Sequence, residues 1–475
     1  MNDAILRFVP HHEQRGTLAA FVRRSFLLVA GIGCGSFLLM LLFARPLGRL
    51  LFMEWTTDSE AIDDAGSLMA LSAMAIGLSI FYFYLLAVFR GLRMFGALSR
   101  LEISHAVFFL VGAIAMILTN HLTAYAIAVN FIISIFLPVL YYGGKLTGIL
   151  RGWPGQSAPM QEAAWEFRLL RYSLWTMLAG VAWQALQYYS TWYLNKTHGA
   201  ESVAVFGTVQ KLAQLVLIGA VAVSTVAMTT VTKTWESLGR IAAERQLSLA
   251  FRGTGIALFF VCAMLALFRN VVMMAFRGDY AAGAESLPLQ LLFSLLAGYL
   301  AFLPGYLNLR EKTRHAFWAW AVGIGSNVLL AYWLTGARGR PVTQSDAWQS
   351  AERWLSLVIV PSFSDALGLH GAAWCAAVAM LIATMVCTLL VRAEGVAVDR
   401  GMIVVLVASL LLVTRPWILA GGTCLLLLAA LRTNLVFSSD ERSRISRYAI
   451  EAGRHIPFIH LIGILPSDTQ DPRKP

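Results

Sequence analysis

A chain of 475 residues that is 58% hydrophobic and only 13% charged, with mean hydropathy +0.68, carries more apolar surface than a soluble fold can hide. Its formal net charge of +11 would suit nucleic acid, but Lys and Arg gather in alternate loops between long apolar runs, which is a topology signal and excludes that partner. The class this predicts is all-α, a polytopic membrane protein whose apolar runs repeat at bilayer length.

The first 24 residues are polar and basic and contain no apolar core of a cleavable signal peptide. About twelve spans follow at the ~20-residue criterion: Ser25–Ala44, Leu68–Phe89, Ile103–Thr119, Leu122–Tyr142, Tyr172–Leu194, Val203–Val231, Thr254–Phe276, Leu287–Leu309, Ala316–Leu334, Gly371–Val391, Met402–Val413 and Trp417–Leu431. The last two are short and poorly separated at Arg415-Pro416, so they read either as a helical hairpin or as one interrupted pass. Pro304 interrupts the eighth span as a kink or hinge.

One set of loops holds Arg90 and Arg93, Arg168 and Arg171, Arg240 and Arg245, Arg310, Lys312 and Arg314, together with basic residues at both ends of the chain; the opposite set holds far fewer. The positive-inside bias therefore puts both termini in the cytoplasm. It leaves the acidic loop Glu54–Asp64 outside, with the long loop Thr335–His370. There Trp348, Ala351, Leu355 and Val358 have the spacing of an interfacial helix. The tail from Thr433 is polar, with a basic amphipathic piece over Arg442–His460.

The stretch Arg168–Leu238 stands apart. Its two spans are joined by the polar turn Asn195–Ser202, and they carry polar chemistry at membrane depth. The first has Thr176, Gln184, Gln187, Tyr188 and Thr191 along one helical face. The second has Gln210, Lys211 and Gln214, then Ser224 and Thr225. A lysine in hydrocarbon costs a few kcal/mol even on lenient insertion scales, so this pair is expected to line a polar route.

An internal repeat is visible when Phe21–Leu110 is laid against Phe251–Val328. Leu42-Phe43-Ala44-Arg45-Pro46 meets Leu265-Ala266-Leu267-Phe268-Arg269, an acidic loop follows each, and Phe89-Arg90-Gly91-Leu92-Arg93 meets Leu309-Arg310-Glu311-Lys312-Thr313-Arg314. Shifted back by the same offset, the counterpart of the Arg168–Leu238 pair would lie mostly before Met1. The expectation is a chain that starts about two helices into a six-helix lobe. The domains are then 1–160, an incomplete N-terminal lobe of about four spans; 161–398, a six-helix lobe; 399–432, two additional helices; and 433–475, a cytoplasmic tail.

Phe206-Gly207-Thr208-Val209-Gln210-Lys211-Leu212-Ala213, the turn Phe89-Arg90-Gly91-Leu92-Arg93-Met94-Phe95-Gly96-Ala97-Leu98 and the opening Arg7-Phe8-Val9-Pro10 carry a family resemblance over roughly Arg7 to Arg432. The pattern resembles Wzx-type O-antigen and exopolysaccharide flippases of the multidrug/oligosaccharidyl-lipid/polysaccharide exporter superfamily. These are loose hydropathic motifs, which identify a superfamily better than a substrate. The resemblance implies two lobes around a cavity that opens to alternate sides of a bacterial inner membrane. It implies a polyprenyl-pyrophosphate-linked oligosaccharide as substrate, for lipopolysaccharide or exopolysaccharide synthesis. Membrane lipids, a polysaccharide polymerase and glycosyltransferases are the partners it implies, and no cofactor or metal.

Two readings stand for each candidate residue. Lys211 either meets the pyrophosphate as a flexible point charge or snorkels to the interface. Gln184, Gln187, Gln210 and Gln214 either bind sugar hydroxyls or act as interhelical glue, worth ~0.6 kcal/mol per bond. Trp183, Tyr188 and Trp192 offer ring faces to a pyranose. Arg23 and Arg24 either collect anionic head groups or fix topology. Glu102, near the cytoplasmic end, is the one carboxylate considered for proton coupling. Cys34, Cys262, Cys375, Cys387 and Cys424 all lie in apolar runs and read as packing residues. No phosphate-binding glycine loop, GxSxG or HExxH occurs, so the chain does not read as an enzyme. A cation-coupled drug exporter and a membrane polysaccharide polymerase or ligase are the alternatives. The first predicts a carboxylate at membrane depth and the second a large outer loop.

Overall fold

The computed structural model describes residues 2–52, 59–121, 123–152, 165–276, 278–334, 369–396 and 398–443. The predicted outer helix around Trp348, the part of the acidic loop Glu54–Asp64 up to Asp58 and the tail beyond Ser443 lie outside the described residues, as does the Arg45 side chain; the rest of that acidic loop opens a helix at Ser59. The described chain is helical: α1 Asn2–Gln14, α2 Leu18–Phe52, α3 Ser59–Gly91, α4 Phe95–Leu118, α5 Ala124–Arg151, α6 Trp165–Leu238, α7 Arg240–Leu267, α8 Arg269–Met274, α9 Leu287–Tyr299, α10 Leu303–Leu309, α11 Thr313–Leu334, α12 Leu369–Ala393, α13 Arg400–Ala408 and α14 Pro416–Arg432. Every predicted span is helical over most of its described residues, and 8 helices among the described residues are long and apolar enough to cross a membrane.

Three predicted spans are interrupted, each for a local reason. The seventh breaks at Phe268 between α7 and α8. In the eighth, α9 stops at Tyr299 and α10 restarts with Pro304 as its second residue, where a missing N–H is harmless. The eleventh tightens into a 3-10 turn, Ser409–Val413, before Pro416 opens α14. An added Cβ on Gly422 would stand 2.6 Å from Leu411, so α14 folds back along that turn. Of the two readings at Arg415-Pro416, the hairpin is the one observed.

Contacts divide the chain into two compact units. The first comprises Met1–Gly180 with Thr229–Arg240 and Asn308–Phe317. Its core joins Ile5, Phe8 and Val9 of α1 to Phe21 and Val22 of α2, Tyr84, Val88 and Phe89 of α3, Leu101 of α4, Tyr142 of α5 and Leu169 of α6. The Tyr84 hydroxyl donates to the Val22 carbonyl at 2.7 Å, which satisfies its polar end inside this core. The side-chain amide of Asn130 donates to the Phe109 carbonyl at 2.9 Å and ties α5 to α4. Gly112 makes room for it, since a Cβ there would fall 1.9 Å from the amide oxygen.

The second unit comprises Val181–Met228, Ile241–Leu307 and Trp318–Pro475. Every residue of α9 is buried, so this helix is its axis. Small residues allow the close approaches: a Cβ on Gly298 would sit 2.8 Å from Ala220, and one on Gly323 2.9 Å from Ala383. Arg252 of α7, only 7% exposed, gathers the C-terminal segment. It donates to the Val436 carbonyl and to both oxygens of Glu441 at 2.8 and 3.2 Å. It lies 3.4 Å from Asp399, and its guanidinium rests over the Phe437 ring. A charge held this tightly would destabilise the fold by several kcal/mol if a partner were removed.

The outer faces show what solvent the molecule expects. Leu38, Leu39 and Leu42 on α2 and Ile103, Leu110, Val111 and Leu118 on α4 are more than half exposed. Water-exposed patches of that extent do not persist on a soluble monomer, whereas acyl chains solvate them. Cys262, Cys375 and Cys387 are buried packing residues as expected, but Cys34 and Cys424 are exposed. The packing reading is corrected for those two, because each sits on an outward helical face.

Two measurements follow from this packing. Gly112→Val should overpack the α4–α5 seam and destabilise the protein by about 1–3 kcal/mol, read as a lower detergent-solution Tm beside Gly35→Val, whose added Cβ meets nothing within 4 Å. Burial raises the Glu441 carboxyl, but its hydrogen bonds to Arg252 and to the Ser438 backbone, with the Arg252 charge, outweigh that and hold it below the ordinary glutamate value of about 4.5. Its contribution is fully present above that pH and lost as pH falls through the depressed folded value. Amide exchange over 433–443 should therefore accelerate on acidification below about pH 4.5, and the Glu441→Gln variant should show that faster exchange already at neutral pH.

Candidate functional site

The predicted site is built on α6, whose 74 residues are two arms broken at Gly199, which takes φ 80° and ψ −179°. The left-handed φ excludes a Cβ at low cost and lets the chain reverse there. Between the arms, the Gln210 side-chain amide donates to the Gln187 carbonyl at 3.1 Å. That bond sets the antiparallel register. With a rise of ~1.5 Å per residue, Lys211 stands level with Leu186 and Gln214 with Trp183.

The structure sorts the six predicted residues into two groups. Gln210 is 9% exposed and its amide lies in the seam between the arms, which is the glue reading, while Gln187 is half-buried and offers that bond its backbone carbonyl. Lys211, Gln184 and Tyr188 are exposed and Gln214 is half-exposed; Lys211 Nζ donates to the Gln214 side-chain oxygen at 3.3 Å. By the register these four occupy a layer roughly 8 Å deep. Lys211 lies ten residues from Glu201, where its long apolar helix begins, about 15 Å along the axis.

Of the three proposed ring platforms, Tyr188 and Trp192 are 60% and 57% exposed. Trp183 points the other way, into the second unit, 6.0 Å from the Phe293 ring and 4.9 Å from Trp320. Bulk decides this: the indole fills the space beside α9 that a glutamine would leave polar. Arg23 and Arg24 are exposed on α2, and Glu102 pairs with Arg90 at 3.2 Å.

Of a set of buried polar groups in the second unit, sequence reasoning had singled out only Thr191. Asn327 of α11 is fully buried, and neither end of its amide has a hydrogen-bond partner among the described residues; the same holds for Gln290 Nε2, Ser190 Oγ and Thr191 Oγ1. Gln290 and Asn327 sit within predominantly apolar runs, which is a weak signal compared with a lysine.

Neither a protein-family model nor a curated protein sequence matches the chain. Solved structures do match. A MATE transporter in its straight conformation superposes with a TM-score of 0.61 at 15% identity, over 83% of this chain and 82% of that one. An outward-facing multidrug resistance MATE family transporter of the MOP superfamily gives 0.62 at 16% identity, over 83% and 81%. A MOP superfamily transporter from Pyrococcus furiosus, described by the reversed polarity of its binding pocket, gives 0.62 at 15%, over 83% and 82%. The chain therefore has the fold of the polytopic transporters of the MOP superfamily.

The seam and the open layer should respond differently to loss of an amide. Gln210→Leu should lower unfolding stability by roughly 0.6–1.7 kcal/mol, measured as Tm in detergent, while Gln184→Leu leaves Tm unchanged.

Proposed function

We propose that this chain is a flippase that moves a polyprenyl-pyrophosphate-linked oligosaccharide across the bacterial inner membrane, from the cytoplasmic to the outer leaflet. The observation that carries the reading is the open placement of Lys211, on a helix long and apolar enough to cross a membrane, in a MOP transporter fold. An ammonium there is stable only beside water or an anion. A pyrophosphate linked to sugar supplies the anion, and Gln214, Gln184 and Tyr188 in the same layer supply hydrogen-bonding and stacking partners for hydroxyls and rings. The lipid tail stays in the bilayer, so only the head group needs a polar route. A conformational change that opens the site to each side of the membrane in turn would complete the transfer.

A cation-coupled multidrug exporter is the second reading, and the names of the solved relatives favour it. A cationic drug asks for a carboxylate at membrane depth. The acidic residues of this chain fall in loops, in the tail or near the ends of spans. That distribution favours the anionic cargo.

The test uses proteoliposomes holding a polyprenyl-pyrophosphate-linked disaccharide, with appearance of the sugar on the opposite face read by an impermeant glycosidase. Lys211→Met should slow translocation at least tenfold with unchanged insertion and Tm, and Lys211→Arg should recover part of the rate. Full activity in Lys211→Met, or efflux of a cationic dye with no movement of the lipid-linked sugar, would overturn the reading.

A further inference from the structure

One end of the first unit is closed by charge. Arg7 of α1 bonds Glu236 near the end of α6, and His11 reaches the same carboxylate at 3.5 Å. These side chains are 11%, 16% and 18% exposed. Arg168 at the start of α6 holds both oxygens of Glu311, at 2.6 and 2.8 Å, in the turn between α10 and α11. Phe8 of α1 sits between these pairs: the Arg168 guanidinium lies 5.3 Å over its ring, and Tyr172 packs against its edge at 5.9 Å. Tyr172 in turn directs its hydroxyl toward the Asn308 carbonyl at 3.4 Å. Glu13 anchors α1 itself, accepting from Arg93 at 2.8 and 3.0 Å.

The two segments so held, Thr229–Arg240 and Asn308–Phe317, are continuous in sequence with helices of the second unit but cluster with the first. We infer that α1 and the Arg7–Glu236 and Arg168–Glu311 pairs are a releasable ionic gate, which shuts this end of the protein and must part in each transport cycle. The inference rests on the transporter reading for its cycle, though not on any particular cargo.

The chemistry suits release. Separating two apolar faces exposes them to water with nothing in return, whereas separated ions regain their hydration. Arg7 Nε has no acceptor among the described residues, so the Arg7 pair is not the fully satisfied network of a permanent strut. Glu236 and Glu311 are the only points where these two returning segments offer an anion, and each meets an arginine well over a hundred positions earlier in the sequence.

Charge reversal with a swap tests it in purified protein. Amide exchange over 229–240 should rise at least tenfold in Arg7→Glu and in Glu236→Arg and return to the parental rate in the double variant R7E/E236R. Arg168→Glu, Glu311→Arg and their double variant should do the same for 308–317. Unchanged exchange in the single variants, or a swap that fails to restore it, overturns the gate. A cysteine pair, R7C/E236C, then decides between gate and strut. Oxidation should stop movement of the lipid-linked disaccharide, and reductant should restore it. Undiminished movement through the cross-linked protein overturns the gate. If the parental protein moves no lipid at all, the transporter reading fails, and the exchange result alone decides the contact.

Discussion

In hydrocarbon a backbone N–H or C=O finds no water, so each must find a partner inside its own segment. This constraint makes every span a helix, and it also decides how the spans may be interrupted. The break between α9 and α10 leaves few orphaned groups, because the carbonyls before it are taken by 3-10 bonds and Pro304 has no N–H to strand. The tightening over Ser409–Val413 likewise precedes the proline that opens α14. The 74-residue α6 departs from helical geometry only at Gly199, in the polar turn outside the bilayer.

Within such a scaffold the free-energy differences that distinguish one face from another are those of charge and small size. Arg252 is held by two carboxylates, a carbonyl and a ring, so the last helices and the start of the tail are fixed by a buried ion. Glycines at 298, 305 and 323 let helices meet where methylene groups would keep them apart. Lys211 has neither kind of arrangement. Its ammonium meets one neutral amide on its own helix and otherwise stands open, and that contrast with Arg252 singles it out.

Hydropathy and turn residues made the helices readable, and the basic loops gave an expected orientation. The α13–α14 hairpin was left open because Arg415-Pro416 is compatible with either geometry. Which face of a span a residue occupies was harder to read. Gln210 and Lys211 are neighbours in sequence, yet one turns into the seam and the other out of it, and only the packing of the arms separates them. Trp183 was expected beside the sugar and sits against Phe293 and Trp320 instead. The role of α1 was not legible at all: Arg7, Glu13, Glu236 and Glu311 are unremarkable as single charges, and their partners stand 80 to 229 positions away in sequence.

The contrast between α9 and α4 bears on how such a chain can drift over evolutionary time. Every residue of α9 is buried, whereas in α4 only Ala97, Leu98 and Leu101 are. A side chain in α4 answers mainly to the acyl chains around it, which accept any greasy shape, so that helix can wander through the aliphatic alphabet. One in α9 answers to a fixed set of neighbours on every side and can change only when they change with it. Kinship in this fold should therefore survive longest along its innermost rod, while the lipid-bathed helices forget their ancestry first.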